Sequence, residues 1–131
     1  MKVYVYAYLG AAVCMLILDG LWLSTMVRVF YRPNMGDLMG EFRVAPAVIF
    51  YLLYVVGVVY FAISPALQSG NWSVALINGA LFGFFAYATY DLTNQATLKG
   101  WPTILTVVDM AWGTALTGIT GLMGYFAAKY A

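Results

Sequence analysis

Asp19, Asp91 and Asp109 stand in otherwise apolar stretches of this sequence, and they are the residues from which chemistry is first expected. An ionised carboxylate near the middle of a bilayer costs about 2.5–3.5 kcal/mol on the lenient insertion scale, so intramembrane acids usually mark a site. Two of the three recur in one pattern: Asp19-Gly20-Leu21-Trp22 and Asp109-Met110-Ala111-Trp112 are both Asp-x-x-Trp. At helical spacing each indole lies on the same face as its own carboxylate. The indole N–H can neutralise an acid, and the ring face can stack on a cation. Neighbouring acids cannot both ionise cheaply, which would link cation binding to proton release. The two copies sit on helices expected to run in opposite directions, so no internal duplication is inferred.

The elements that must position these groups are set by composition. Of 131 residues, 64% are hydrophobic and only 8% charged, against roughly 25% charged in a soluble domain, so water is not the main solvent. Each helical crossing of a hydrocarbon core about 30 Å thick needs about 20 apolar residues, which leaves room for four crossings. Runs such as Val44 to Ser64 do not alternate polar with apolar, and a membrane β-barrel would. The expected fold is all-α, a single domain (1–131) forming a four-transmembrane-helix bundle. Its spans are expected at about 3–27, 44–64, 73–94 and 102–128. Residues 28–43, with three arginines, Asp37, Glu41 and the turn signal Pro33-Asn34, are expected to form a polar loop. Its interleaved aromatic and aliphatic residues suit the membrane surface; a plain solvated loop is the alternative.

Packing signals accompany the spans. Gly79-x-x-x-Gly83 in span three and Gly113, Thr117 and Gly121 in span four form small-residue stripes of the kind that let membrane helices approach closely. Asp109 precedes Gly113 by four residues and belongs to the same stripe. Span two is bulky apart from Gly57 and is expected to face lipid.

Charge and composition exclude several functions. A formal net charge of +1 without a basic face argues against nucleic acid as a partner. The single cysteine, Cys14, and the absence of histidine remove an intramolecular disulfide, haem, di-iron and most catalytic zinc designs, so no cofactor or metal is expected. Lys2 ahead of an apolar run could suggest a signal peptide, but no small-residue cleavage pattern precedes a soluble domain, so the segment is expected to be retained. Arg28, Arg32, Arg43 and Lys99 flank the loops after spans one and three, against Lys2 and Lys129 opposite; retention of positive loops in the cytoplasm predicts both termini outside it. The arginines are expected to hold that orientation and touch lipid phosphates.

In this topology Asp19 lies about 12 Å below the cytoplasmic end of span one, and Asp109 at a similar depth in span four. Asp91 is nearer the surface in span three, so all three acids occupy one half of the membrane. Asp19, Asp91, Asp109, Trp22, Trp112, Tyr90, Asn94 and Lys99 form the candidate ligand- or proton-binding set; no catalytic residue is assigned. Each has a plainer reading. Asp19 and Asp109 can be hydrogen-bonded contacts that only fix the bundle, and Asp91 can reach interfacial water or pair with Lys99. Tyr31, Tyr87, Tyr90 and Trp101 read as headgroup-level anchors. Cys14, the methionines and Asn78 read as packing residues.

The strings Asp19-Gly-Leu-Trp-Leu, Phe30-Tyr-Arg-Pro, Ala86-Tyr-Ala-Thr-Tyr-Asp-Leu-Thr-Asn94, Ala96-Thr-Leu-Lys-Gly-Trp and Asp109-Met-Ala-Trp-Gly resemble the bacterial domain-of-unknown-function 2177 family over nearly the whole chain. Gln95 departs from the apolar residue expected after Asn94. The resemblance implies a small polytopic inner-membrane protein without an established activity, encoded in some genomes beside lipid-modifying enzymes.

Three functional readings are open. The first is a carboxyl-containing pocket, open toward the cytoplasm, that binds a small cationic or amphipathic ligand and moves it in exchange for protons. Small four-helix drug exporters show that so short a chain can transport as a homodimer, an analogy of architecture alone. The second is an accessory or assembly subunit of a larger membrane complex. In the third, the protein assists or catalyses membrane-lipid modification, with Asp91, Asn94 and Lys99 near the headgroups supplying acid and base.

Overall fold

The computed structural model describes residues 2–131, and among these there is no strand. Four helices are long and apolar enough to cross a membrane: α1 (Lys2–Leu38), α2 (Val44–Ser69), α3 (Trp72–Thr97) and α4 (Thr103–Lys129). Each runs past its expected span. The largest difference is at α1, which continues through most of the expected 28–43 loop and leaves only residues 39–43 as a non-helical connection. Propensity explains the extension, because Val-Arg-Val-Phe-Tyr-Arg contains no helix breaker ahead of Pro33.

Proline shapes α1 and α2 in the same way. Each contains a π-helical turn, Val27–Tyr31 and Val59–Ile63, closed by a backbone bond from Arg32 to Val27 and from Ser64 to Val59. Pro33 and Pro65 stand one residue further on. A proline cannot donate to the carbonyl four residues back, and its ring crowds that carbonyl; a wider turn relieves the crowding. For Pro65 the deprived carbonyl is that of Phe61, and Asn78 of α3 donates its side-chain Nδ2–H to it at 3.2 Å. Asn78 therefore completes the backbone of α2, a need made acute by hydrocarbon, where no water can substitute.

The tight turn between α2 and α3 is made by Gly70, which ends α2 in the left-handed region (φ 68°), and Asn71, whose side-chain oxygen accepts the Ser73 N–H at 3.0 Å. These are the expected devices for a helix end and a helix start. Gly100 (φ 74°) supplies the corresponding bend between α3 and α4.

α4 is the central helix, with Leu116, Thr117, Gly121 and Tyr125 almost wholly buried. Its small-residue stripe meets that of α3. A methyl group at Gly79 would stand 2.7 Å from the Thr117 carbonyl oxygen, one at Gly83 would collide with the Gly113 carbonyl, and one at Gly121 would stand 2.8 Å from the Ala75 carbonyl. Gly124 in turn receives Ile63 of α2 and the backbone of Ala7 of α1. α2 turns Leu52, Leu53, Val56, Tyr60 and Phe61 to lipid, while Val55, Val58, Ala62 and Ile63 join the core. Tyr54 Oη and Thr117 Oγ1 share a hydrogen bond of 2.7 Å between α2 and α4.

Asn78→Ala should lower unfolding stability in detergent or bicelles by about 0.6 kcal/mol, the typical worth of an interhelical hydrogen bond in a membrane. The loss should shrink when Pro65→Ala restores a backbone donor to Phe61. Equal losses with and without Pro65 would show that Asn78 does not serve that carbonyl.

Candidate functional site

The close contact of α3 with α4 sets the register in which their acids meet. Asp91 lies about one helical turn beyond Tyr87, whose ring covers Gly113, and Asp109 about one turn before Gly113. In the antiparallel pair both arrive at the same level, six residues inside the facing ends of α3 and α4. Asp91 and Asp109 line one cavity. Asp91 is fully buried, and neither of its carboxyl oxygens has a hydrogen-bond partner among the described residues. The alternative pairing of Asp91 with Lys99 is thus not formed; Lys99 is exposed in the connection after α3. Ionising both Asp91 and Asp109 would place two like charges in the same cavity.

Asp19 and Asp109 are tied into the aromatic residues crosswise. Trp112 of α4 donates Nε1–H to Asp19 Oδ1 of α1 at 3.0 Å. Trp22 of α1 donates Nε1–H to Tyr31 Oη at 3.0 Å, and Tyr31 donates its hydroxyl to Asp109 Oδ1 at 2.5 Å. Each indole therefore serves the acid of the other helix, Trp22 through a phenol, and not the acid three residues before it as the spacing suggests. The exchange is possible because the rings stack face to face between the helices, with centroids 4.2 Å apart and planes inclined by 6°.

Tyr31 reaches Asp109 because α1 is not regular there. In an unbroken α-helix, nine residues carry Tyr31 about 180° around from Trp22, to the opposite face. The π turn at Val27–Tyr31 absorbs one extra residue and rotates the remainder of the helix by about 100°, toward the Trp22 side. The headgroup-anchor reading of Tyr31 therefore fails, and the ring is buried. Trp101 departs from the same reading and is also buried: its Nε1–H donates to Thr106 Oγ1 at 3.0 Å, and its ring meets Tyr90 edge-on at 5.9 Å. The Tyr87 ring covers Gly113, where no side chain would fit beneath it.

These groups line a half-open cavity of about 230 Å³. Of the residues singled out from the sequence, Asp19, Trp22, Tyr90, Asp91, Asp109 and Trp112 line it. Asn94 and Lys99 do not. Sequence reasoning leaves out Tyr31, Tyr87 and Trp101 together with the apolar wall of Leu23, Val27, Met35, Met39 and Leu105. The signal for Tyr31 is Pro33, which announces an irregular turn before it; the signal for Tyr87 is its spacing of four residues from Gly83. No arginine or lysine lines the cavity. A second cavity, about 330 Å³, is lined by Phe50, Ala86, Tyr87, Tyr90 and Asp109. Asp109, Tyr87 and Tyr90 stand between the two.

Fold and cavity define a polytopic α-helical membrane protein whose acids are gathered inside the bundle under a roof of aromatic rings. The chain belongs to the family described as "Predicted membrane protein (DUF2177)", which matches residues 4–126. No curated protein and no solved structure matches it.

Tyr31→Phe removes the hydroxyl that joins Trp22 to Asp109 and should destabilise the protein by about 1–3 kcal/mol, the usual penalty for stranding buried polar partners. Tyr60→Phe, on the lipid-facing side, should change little. Thermal unfolding in detergent compares them, and equal midpoints for the two variants would refute the relay.

Proposed function

We propose that the protein binds a small organic cation in the carboxyl and aromatic cavity and exchanges it for a proton. The observation that carries this reading is the lining: three carboxyl groups and six indole or phenol rings, with no basic side chain. Isolated buried charges cost several kcal/mol each, so an empty cavity favours protonated acids. A cation reverses that balance. It gains direct attraction from the carboxylates and about 2 kcal/mol or more from each well-placed, desolvated ring. Entry of the cation and departure of the proton shared by Asp91 and Asp109 are then two halves of one exchange, and the charge inside the bundle stays nearly constant.

The volume favours a compact ammonium group. The adjoining cavity beside Phe50 and Ala86 is mostly apolar in its lining, which suits the tail of an amphipathic amine. Arg28, Arg32, Arg43 and Lys99 at one end of the bundle against Lys2 and Lys129 at the other favour a cavity nearer the cytoplasmic face of a bacterial inner membrane, with both termini outside.

Tetramethylammonium is a suitable probe because it has charge without hydrogen-bond donors and does not cross lipid. Titration calorimetry on reconstituted protein, in two buffers of different ionisation enthalpy, should read about one proton released per cation bound. Asp19→Asn should weaken binding about tenfold or more, and Asp91→Asn and Asp109→Asn should abolish the proton release. The cation should bind inverted vesicles and not right-side-out ones; the reverse pattern would overturn the orientation. Affinity and proton release unchanged in all three variants would remove the functional reading.

A further inference from the structure

The extended end of α1 builds a second site that the carboxyl cavity does not use. Where α1 passes its π turn and tightens at Gly36, it faces the non-helical segment 39–43 and the first turn of α2 across a groove of about 870 Å³. Arg28, Arg32 and Arg43 line this groove, with Glu41 as its one acid. Its walls are apolar: Leu23, Val27, Met35, Leu38, Phe42 and Pro46. Phe42 is 75% exposed, which a ring in a water-facing connection would not favour and a ring in an acyl-chain layer would.

We propose that this groove binds an anionic phospholipid, with the arginines on its phosphate and the apolar walls against the start of its acyl chains. Three guanidinium groups against one carboxylate leave two positive charges for the ligand. Guanidinium is the group whose planar fork matches phosphate oxygens in pairs. The site lies at the end of two membrane-spanning helices, where α1 ends and α2 begins, and basic side chains near span ends meet headgroup phosphates. Apolar walls distinguish a lipid from free phosphate, which would need only the charges. Leu23, Val27, Met35 and Met39 line both this groove and the carboxyl cavity, so a sheet of aliphatic side chains separates the cationic site from the acidic one. The proposal does not rest on the cation reading, since it uses none of the three aspartates.

Native mass spectrometry of the full chain from mild detergent, with phosphatidylglycerol, phosphatidylcholine or inorganic phosphate added, tests the proposal. Phosphatidylglycerol should be retained over phosphatidylcholine, and each of Arg28→Gln, Arg32→Gln and Arg43→Gln should weaken its retention about fivefold, the value of about one surface charge. Glu41→Gln should strengthen it, an effect that damage to the fold would not produce. Lys2→Gln with Lys129→Gln, at the other end of the bundle, should leave it unchanged. Equal retention in the arginine variants, no gain in Glu41→Gln, or protection from thermal unfolding by inorganic phosphate equal to that by phosphatidylglycerol would each overturn the proposal.

Discussion

Backbone meets backbone where α3 crosses α4, and the site is built outward from that contact. Gly79 and Gly83 lie against the backbone of Gly113, Thr117 and Gly118 so closely that no Cβ can be added. In lipid, apolar surface gives helices no reason to prefer one another over acyl chains, so association depends on close approach and interhelical hydrogen bonds. Contact without intervening side chains also fixes relative height, because a slip of one residue would drive a methyl or larger group into a carbonyl. The register that results brings Asp91 level with Asp109. A looser, leucine-packed pair would tolerate sliding and could not hold the two acids at one level.

Given that register, the rest of the upper bundle manages negative charge without using positive charge. Trp112 serves Asp19, and Trp22 with Tyr31 serves Asp109. Asp91 is buried with no hydrogen-bond partner among the described residues. No lysine or arginine lines the cavity to form an internal salt bridge with these acids. Neutral donors instead hold Asp19 and Asp109 in place. The same division of labour runs through the molecule, whose guanidinium groups lie outside the aliphatic wall formed by Leu23, Val27, Met35 and Met39.

Much of this is legible in the sequence, and the illegible parts share a cause. Apolar length gives the four helices, the spacing of glycines gives the α3–α4 contact, and the rarity of acids in hydrocarbon draws attention to Asp19, Asp91 and Asp109. Helical periodicity then misleads at α1, where it puts Tyr31 opposite Trp22 and ends the span near Val27. The π turn before Pro33 cancels that phase, and a fixed period of 3.6 cannot represent it. Frequency assigns aromatic residues near helix ends to headgroups, yet Trp101 has Thr106 as a partner inside the protein and Tyr31 has Asp109. The Asp-x-x-Trp pairing is local in the sequence and crosswise in space: Trp112 donates directly to Asp19 of α1, while Trp22 reaches Asp109 only through Tyr31 of its own helix. Asn78 reads as a packing residue, and its role depends on Pro65 in a different helix, a relation no local pattern contains.

The central claim is that Asp91 and Asp109 hold one proton between them, and infrared spectroscopy reads that proton directly through the carbonyl stretch of a protonated carboxyl group. The account predicts such a band in the reconstituted protein at neutral pH, lost in both Asp91→Asn and Asp109→Asn and lost in the unaltered protein when the cavity fills with cation. A spectrum without the band, or one that keeps it unchanged in both variants, would contradict the account.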